Sequence, residues 1–305
     1  MGLYLATALP RGIREVLSWR PDVAHAHFVV PTGLLALALN RLGGLPYVIT
    51  AHLGDVPGGV PEQTKGLFRL ASPLAKAVWN GASQRTAVSS FVGSLAQKAF
   101  GSVPRVILNG IPPLAAASID SQHNPPLKLL MVGRLSVQKN PLLAVRALAE
   151  IKDRPWTLEV VGEGPLLDAM QSQVREAALE SKITFSGWLS EDEVRACMRR
   201  SQVLLMTSLH EGLPMVAVEA LWHGLAIVGS RIGGLADVIE EGKNGFFCDL
   251  NPSSFAGALQ ALLADPKRLQ TMRQHSLEHA QQFDFNASVE AYERCLSMAS
   301  ATPSP

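Results

Sequence analysis

Two carboxylates eight positions apart, Glu211 and Glu219 in "LHEGLPMVAVEALWHG" (209–224), are the first residues of this 305-residue chain that ask for a chemical explanation. Glu219 stands in an otherwise apolar run. A buried, unpaired carboxylate is costly, so it needs either a cationic partner or a ligand. Pro214 suits the first turn of a helix, which leaves the N–H groups of Leu213, Met215 and Val216 without helical partners and makes an anion site. Counted from Pro214, Glu219 lies about 8 Å along the helix axis, at ~1.5 Å per residue. Acceptors on either side of a phosphate site suit a ligand with hydroxyls at both ends, and a nucleotide sugar is such a molecule. A helical glutamate paired with some arginine is the competing reading, and from this stretch alone the two are even.

Other residues add to the first reading. "GRLSVQKN" places Arg134 and Lys139 just after the apolar run "KLLMVG". A guanidinium fork and an ammonium point charge five residues apart can converge on one diphosphate, although two solvated loop cations would look the same. "GEGP" carries Gly162 and Gly164, and "RIGGLADV" carries Gly233 and Gly234, where backbone can approach a ligand closely.

The elements that position these groups alternate. From residue 128 the strands "KLLMVG", "WTLEVVG", "KITFSG", "VLLMTS", "AIVGS" and "GFFCD" are separated by helical stretches. Asn140–Pro141 reads as an N-cap followed by a first-turn proline, Ser190 and Glu193 have capping-box spacing, and "GLADVIEEG" reads as a short helix. Short continuous apolar strands alternating with helices predict a parallel sheet covered on both faces. Residues 20–110 repeat the style with "DVAHAH", "YVITAH", "RTAVSS" and "RVILNG", and the Pro/Ala/Ser-rich stretch near 112–126 reads as a linker. The expectation is an α/β protein of two doubly wound domains facing a cleft. Ligands then bind beyond the carboxyl ends of the strands, where all the groups above fall.

At this point the motifs carry a resemblance. "GRLSVQK", "VGEGP", "SLHEGLPMVAVEAL", "GSRIGGLADVIEEGKNGF" and "VILNGI" resemble the retaining glycosyltransferases of family 4, which have the GT-B fold of two Rossmann-like domains. The resemblance covers nearly the whole chain. It implies domains at 1–115 and 127–283, a linker at 116–126, and a closing helix within 284–305 that packs back on the first domain. It implies that Arg134 and Lys139 hold the donor diphosphate, that Glu211 contacts the donor sugar, and that Glu219 accepts the ribose hydroxyls. Backbone at Gly162, Gly164, Gly212, Leu213, Pro214, Met215, Val216, Gly233 and Gly234 would line the donor. "TAHLGDV" resembles a family loop that places His52 at the donor sugar with Gly54 beside it. Here Leu53 stands where the family often has glycine, and the other reading of His52 is a satisfied core histidine.

The implied reaction is transfer of a hexose-type sugar from a nucleotide-diphosphate sugar to an acceptor hydroxyl with retention, the leaving phosphate taking the acceptor proton. The donor is a substrate, UDP-sugar favoured over GDP-sugar, and no cofactor is expected. No metal is expected either: Asp-x-Asp is absent, and His25 and His27 alternate onto one face without an evident third ligand. The family ordinarily begins with further βα units and a glycine-rich loop, whereas this chain opens on the helix-like "MGLYLATALPRGIREVLSWR". The first domain is therefore expected to be shortened, with an open sheet edge. A weakly catalytic nucleotide-sugar-binding remnant that needs a partner is the alternative. A sugar phosphorylase lacks an obvious cofactor lysine, and a dinucleotide dehydrogenase lacks the third glycine after "GEGPLL".

Bulk properties set the outer limits. At 47% apolar, 17% charged and net charge +1, the composition is globular and argues against disorder or bulk-charge binding of nucleic acid. Residues 1–115 carry ten Lys/Arg against four Asp/Glu, and the remainder seventeen against twenty-two. A basic first half fits a lipid-linked acceptor or peripheral association with an anionic membrane, and equally a solvated surface. Three scattered cysteines suggest no disulfide framework and a cytoplasmic protein.

Overall fold

A computed structural model describes residues 2–60, 67–112 and 126–301, and the chain divides into two units, 1–109 with 285–305, and 110–284. The expected linker, apart from Pro126, lies outside the described residues.

In the first unit, α1 (Gly2–Trp19) is followed by β1 (Ala24–His27), α2 (Thr32–Gly43), β2 (Tyr47–Ala51), α3 (Leu67–Gly81), β3 (Gln84–Ala87), α4 (Ser90–Phe100) and β4 (Arg105–Val106). The strands form a parallel sheet in the order β1-β2-β3-β4. Every residue of β2 is buried, as a strand covered on both faces requires, and Tyr47, Ile49, Trp79 and Phe100 anchor the core around it. The last helix, α11 (Phe285–Ser300), belongs to this unit and packs on β2 and β3.

The second unit runs β5 (Leu127–Val132), α5 (Pro141–Ala149), β6 (Trp156–Val161), α6 (Leu167–Glu176), β7 (Ile183–Gly187), α7 (Glu191–Arg200), β8 (Val203–Met206), α8 (Met215–Trp222), β9 (Ala226–Ser230), β10 (Gly245–Cys248), α9 (Pro252–Ala264) and α10 (Pro266–Ala280). Its parallel sheet has the order β10-β9-β8-β5-β6-β7. The connection from β5 leads to β6 on one side, and that from β8 leads to β9 on the other. The strand order therefore reverses between β5 and β8, and a crevice opens outside their carboxyl ends. Ile111 and Asp284 pair at this unit's boundary, with the Ile111 N–H donating to Phe283 O at 3.1 Å.

One local expectation is corrected. At "GLADVIEEG" the only helical element is the 3₁₀ turn Gly233–Leu235; the N–H groups of Ala236 and Val238 donate three residues back, Ile239 N–H donates four back to Leu235 O, and the repeat goes no further. Asn140 is the N-cap of α5 and Pro141 opens the helix, as the sequence indicates, with Asn140 in the left-handed region (φ 47), which asparagine tolerates better than most residues, and without a side-chain cap bond. The capping box of Ser190 and Glu193 is present as the spacing indicates.

Candidate functional site

The two loops at the strand-order reversal are stitched together. Leu209 N–H donates to Gln138 O (2.7 Å), Gln138 Nε2 donates to His210 O (2.9 Å), and the Thr207 hydroxyl donates to Asn140 O (2.9 Å). This brings Lys139 Nζ within 2.6 Å of Glu211 Oε1, and Ser208 Oγ donates to the same oxygen at 2.6 Å. The Glu211 side chain is 8% exposed and Lys139 27%. A carboxylate so buried is tolerated because it has both a cation and a hydroxyl donor. Arg134 lines the same crevice, is exposed, and forms no ion pair among the described residues.

Glycines shape the floor. A Cβ on Gly162 would overlap the Gly133 carbonyl, one on Gly164 the Leu135 carbonyl, and one on Gly234 the Glu211 carbonyl. Gly162 also has φ +124, where side chains are strained. Backbone thus lies directly on backbone around Arg134, Lys139 and Glu211. Gly233 opens the 3₁₀ turn beside them.

Pro214 is the N-cap of α8, and its carbonyl accepts from Ala217 N (2.9 Å) and Val218 N (3.2 Å). The N–H groups of Leu213, Met215 and Val216 consequently have no partner within the helix, and Gly212 precedes them in the loop. Glu219, on α8, is not the more buried of the two glutamates; its side chain is 22% exposed, and Arg195 Nε of α7 donates to its Oε1 at 2.9 Å. The arginine partner that the sequence left open therefore exists, and Oε2 has no hydrogen bond among the described residues.

His52 and Gly54 belong to the first unit. Leu53 is buried in that unit's core, and the loop turns on Asp55, whose Oδ1 accepts from His52 N (2.7 Å) and Oδ2 from Val29 N (2.6 Å). Burial pushes the Asp55 carboxyl up to about 7 against these two bonds. His52 is one of three clustered imidazoles. His27 Nδ1 and His52 Nε2 are 3.1 Å apart, and the His25 and His27 ring centroids 4.3 Å apart. His25 Nε2 meets Thr50 Oγ1 at 2.7 Å, and Thr50 Oγ1 meets Thr86 Oγ1 at 2.7 Å. Tyr292 of α11 faces the two threonines but makes no hydrogen bond of ordinary geometry. Burial, reinforced by the neighbouring imidazoles, lowers His25 and His52 to about 4, and burial lowers His27 as well. His52, named in the sequence for another reason, is thus the third imidazole beside His25 and His27. Among the described residues, however, no cluster of three or more His, Cys, Asp or Glu has metal-holding geometry.

Sequence reasoning missed Ser208, Arg195, Asp55 and the His27–His52 bond. Ser208 and Asp55 each lie three residues from a flagged group, a spacing that marks local turn bonding. Arg195 gave no such signal, since its partner is 24 positions away on another helix.

Comparison with known proteins places this geometry. The pattern described as "Glycosyl transferases group 1" matches residues 118–279, and "Glycosyltransferase Family 4" matches 1–113. The chain is 31% identical over 262 residues to a 2-deoxystreptamine glucosyltransferase of Streptomyces kanamyceticus, covering 77% of this chain and 66% of that protein. It is 31% identical over 269 residues to a glycogen synthase of Mycobacterium tuberculosis, covering 83% of this chain and 63% of that protein. The matched stretches thus span just under two thirds of these relatives' own length. The structure of Anabaena Alr3699/HepE in complex with UDP superposes with a TM-score of 0.82 at 19% identity, over 95% of this chain and 81% of that one, which shows a shared GT-B fold. The group 1 pattern spans more than half of the chain, including the whole Lys139–Glu211 crevice, and the chain belongs to the group 1 glycosyltransferases.

Proposed function

We propose that this chain moves a hexose-type sugar from a nucleoside-diphosphate sugar, UDP-linked in preference to GDP-linked, to a hydroxyl of a carbohydrate or lipid-linked acceptor, with retention and without a metal or other cofactor. The observation that carries the reading is the Lys139–Glu211 pair at the strand-order reversal, with the exposed guanidinium of Arg134 on the same crevice. As the bond from the anomeric carbon to the diphosphate oxygen breaks, charge grows on the diphosphate. Arg134, Lys139 and the free N–H groups at the start of α8 are donors suited to that charge. The acceptor oxygen bonds to the same face of the anomeric carbon, and its proton passes to the departing phosphate oxygen. Glu211 orients the sugar, Glu219 accepts the ribose hydroxyls, and His52 and Gly54 act at the sugar end of the donor. A UDP complex of a GT-B neighbour and a glucosyltransferase among the relatives support UDP and a hexose.

The test is unfolding temperature against UDP, GDP, ADP and their hexose conjugates, followed by turnover with the nucleotide that binds. Ligand at a hundred times its dissociation constant adds ~2.7 kcal/mol. A shift for UDP and UDP-hexose, lost in Lys139→Met, is expected; no shift with any nucleotide sinks the proposal.

The reading extends to a cytoplasmic protein that touches the inner face of a membrane. No helix among the described residues is long and apolar enough to cross one. Support comes from α1, which carries Arg11 and Arg14 together with exposed Leu3, Leu17 and Trp19. Salt-sensitive binding to anionic vesicles is expected, and no binding at low salt overturns this part alone.

A further inference from the structure

Arg195 holds Glu219 in a way that nothing in the reaction itself requires. Its Nε donates to Glu219 Oε1 at 2.9 Å, while its terminal nitrogens lie 3.4 Å from Asp192 Oδ1 and 3.5 Å from Glu191 Oε2. Those two carboxylates are almost fully exposed and their contacts are long, so they steady the guanidinium without competing for it. The helix that carries Arg195 is itself fixed at its start, where Ser190 N and Oγ meet Glu193 Oε2 at 2.8 and 2.7 Å. At the other end of the pair, His223 Nδ1 lies 2.9 Å from the Glu219 carbonyl, tying down the last turn of α8. A long, flexible glutamate is thereby held at one carboxylate oxygen.

That arrangement leaves a defined set of acceptors. A carboxylate offers about four lone-pair sites, and Arg195 occupies one on Oε1. Oε2 is free among the described residues, so one site on Oε1 and two on Oε2 remain for a ligand. A vicinal diol presents two O–H donors at just such a spacing. Hydrogen bonds donated to a carboxylate are shorter and stronger than those to a neutral acceptor.

Resting on the reading of Glu219 as the ribose acceptor, we infer that Arg195 is a positioning residue: it holds the Glu219 carboxylate ready for a vicinal diol and so sets the preference for ribonucleotides over 2′-deoxyribonucleotides. Lysine cannot replace it fully, because an ammonium is a point charge without a planar N–H aimed at one oxygen.

The experiment measures, by calorimetry, dissociation constants of UDP, GDP and ADP and of their 2′-deoxy counterparts. The proteins are the full chain, Arg195→Met, Arg195→Lys and Glu219→Gln, each checked for an unchanged unfolding transition. For the nucleotide that binds, the unaltered chain is expected to prefer the ribo form by roughly ten- to a hundredfold, the scale of a hydrogen bond to a charged group. Arg195→Met is expected to cut the preference to about threefold or less, entirely through weaker binding of the ribo form. Arg195→Lys should fall between. If Arg195→Met keeps the full preference, or weakens both forms equally, the inference is wrong. If no nucleotide binds, or Glu219→Gln leaves the preference intact, the assignment of Glu219 fails and takes the inference with it. Loss of preference in Glu219→Gln but not in Arg195→Met overturns the role of Arg195 alone.

Discussion

At the carboxyl end of the four-stranded sheet, polar side chains are kept neutral: His25 and His52 titrate near 4, and His27 and His52 share one hydrogen bond that only one of them can donate. At the carboxyl end of the six-stranded sheet, Lys139 and Glu211 are instead an ion pair closed to 2.6 Å. The first arrangement meets the cost of desolvation by giving up charge, and the second by pairing it. A neutral cluster is tolerant, since losing one imidazole strands no charge. An ion pair is demanding, because removing one member leaves the other's charge without its partner.

The sharpest break between the two follows from that asymmetry. Lys139→Met should lower kcat/KM by roughly a thousandfold, the scale of a lost transition-state donor. It should also cost about 2–3 kcal/mol in denaturant unfolding, below the full value for a buried pair because Lys139 is partly exposed and Ser208 remains. His27→Gln should cost about 1 kcal/mol or less. If the two variants unfold alike, the contrast between paired and neutral ends is wrong.

Next in size is the backbone beneath the pair. Gly234→Ala forces a methyl into the Glu211 carbonyl and should cost about 2–3 kcal/mol by urea denaturation, with Glu211 displaced. Gly257→Ala on α9 meets nothing within 4 Å and should stabilise by about 0.5–1 kcal/mol. Arg134→Ala should sharpen the picture from the other side. It should lower kcat/KM by roughly ten- to a hundredfold while unfolding stays within about 0.5 kcal/mol, because its guanidinium is exposed and forms no ion pair among the described residues.

The smallest effect is in pH. His25 and His52 have folded values near 4 against an ordinary 6.5, so between those values the unfolded chain binds more protons and stability falls as pH falls. Asp55 acts in the opposite sense, because its folded value near 7 exceeds the ordinary 3.8 and its protonation favours the fold as pH falls. Unfolding temperatures from pH 7 to 4 should therefore drop more steeply in Asp55→Asn than in the unaltered chain. They should drop less steeply in a His25→Gln, His52→Gln double variant.

Much of this was legible in the sequence because it is local. The strands are short unbroken apolar runs, and the parallel sheets follow from their alternation with helices. The placing of Arg134, Lys139 and Glu211 together follows from all three ending up on strand-end loops of one sheet. What escaped is what the chain builds across long separations. Nothing in "LHEGLPMVAVEALW" says that Glu211 is the deeper glutamate, since its depth depends on Gly234 closing over its carbonyl from another loop. The histidine cluster joins β1 to the loop after β2 through register alone: His27 sits opposite Thr50, two residues before His52. "GLADVIEEG" misled because the spacing of its apolar residues fits a helix, whereas burial of Leu235, Val238 and Ile239 is met by a turn.

The contact of Gly162 with the Gly133 carbonyl, and of Gly164 with that of Leu135, sets a limit on how this protein can be redesigned. Two loops joined by main-chain contacts, with the Leu135 N–H donating to Glu163 O and the Leu166 N–H to Leu135 O, keep those donors and acceptors whatever residues surround them. A library aimed at new sugar donors would waste its diversity there. It should vary the rim, where an exposed side chain such as that of Val137 can be exchanged without prying the layer apart.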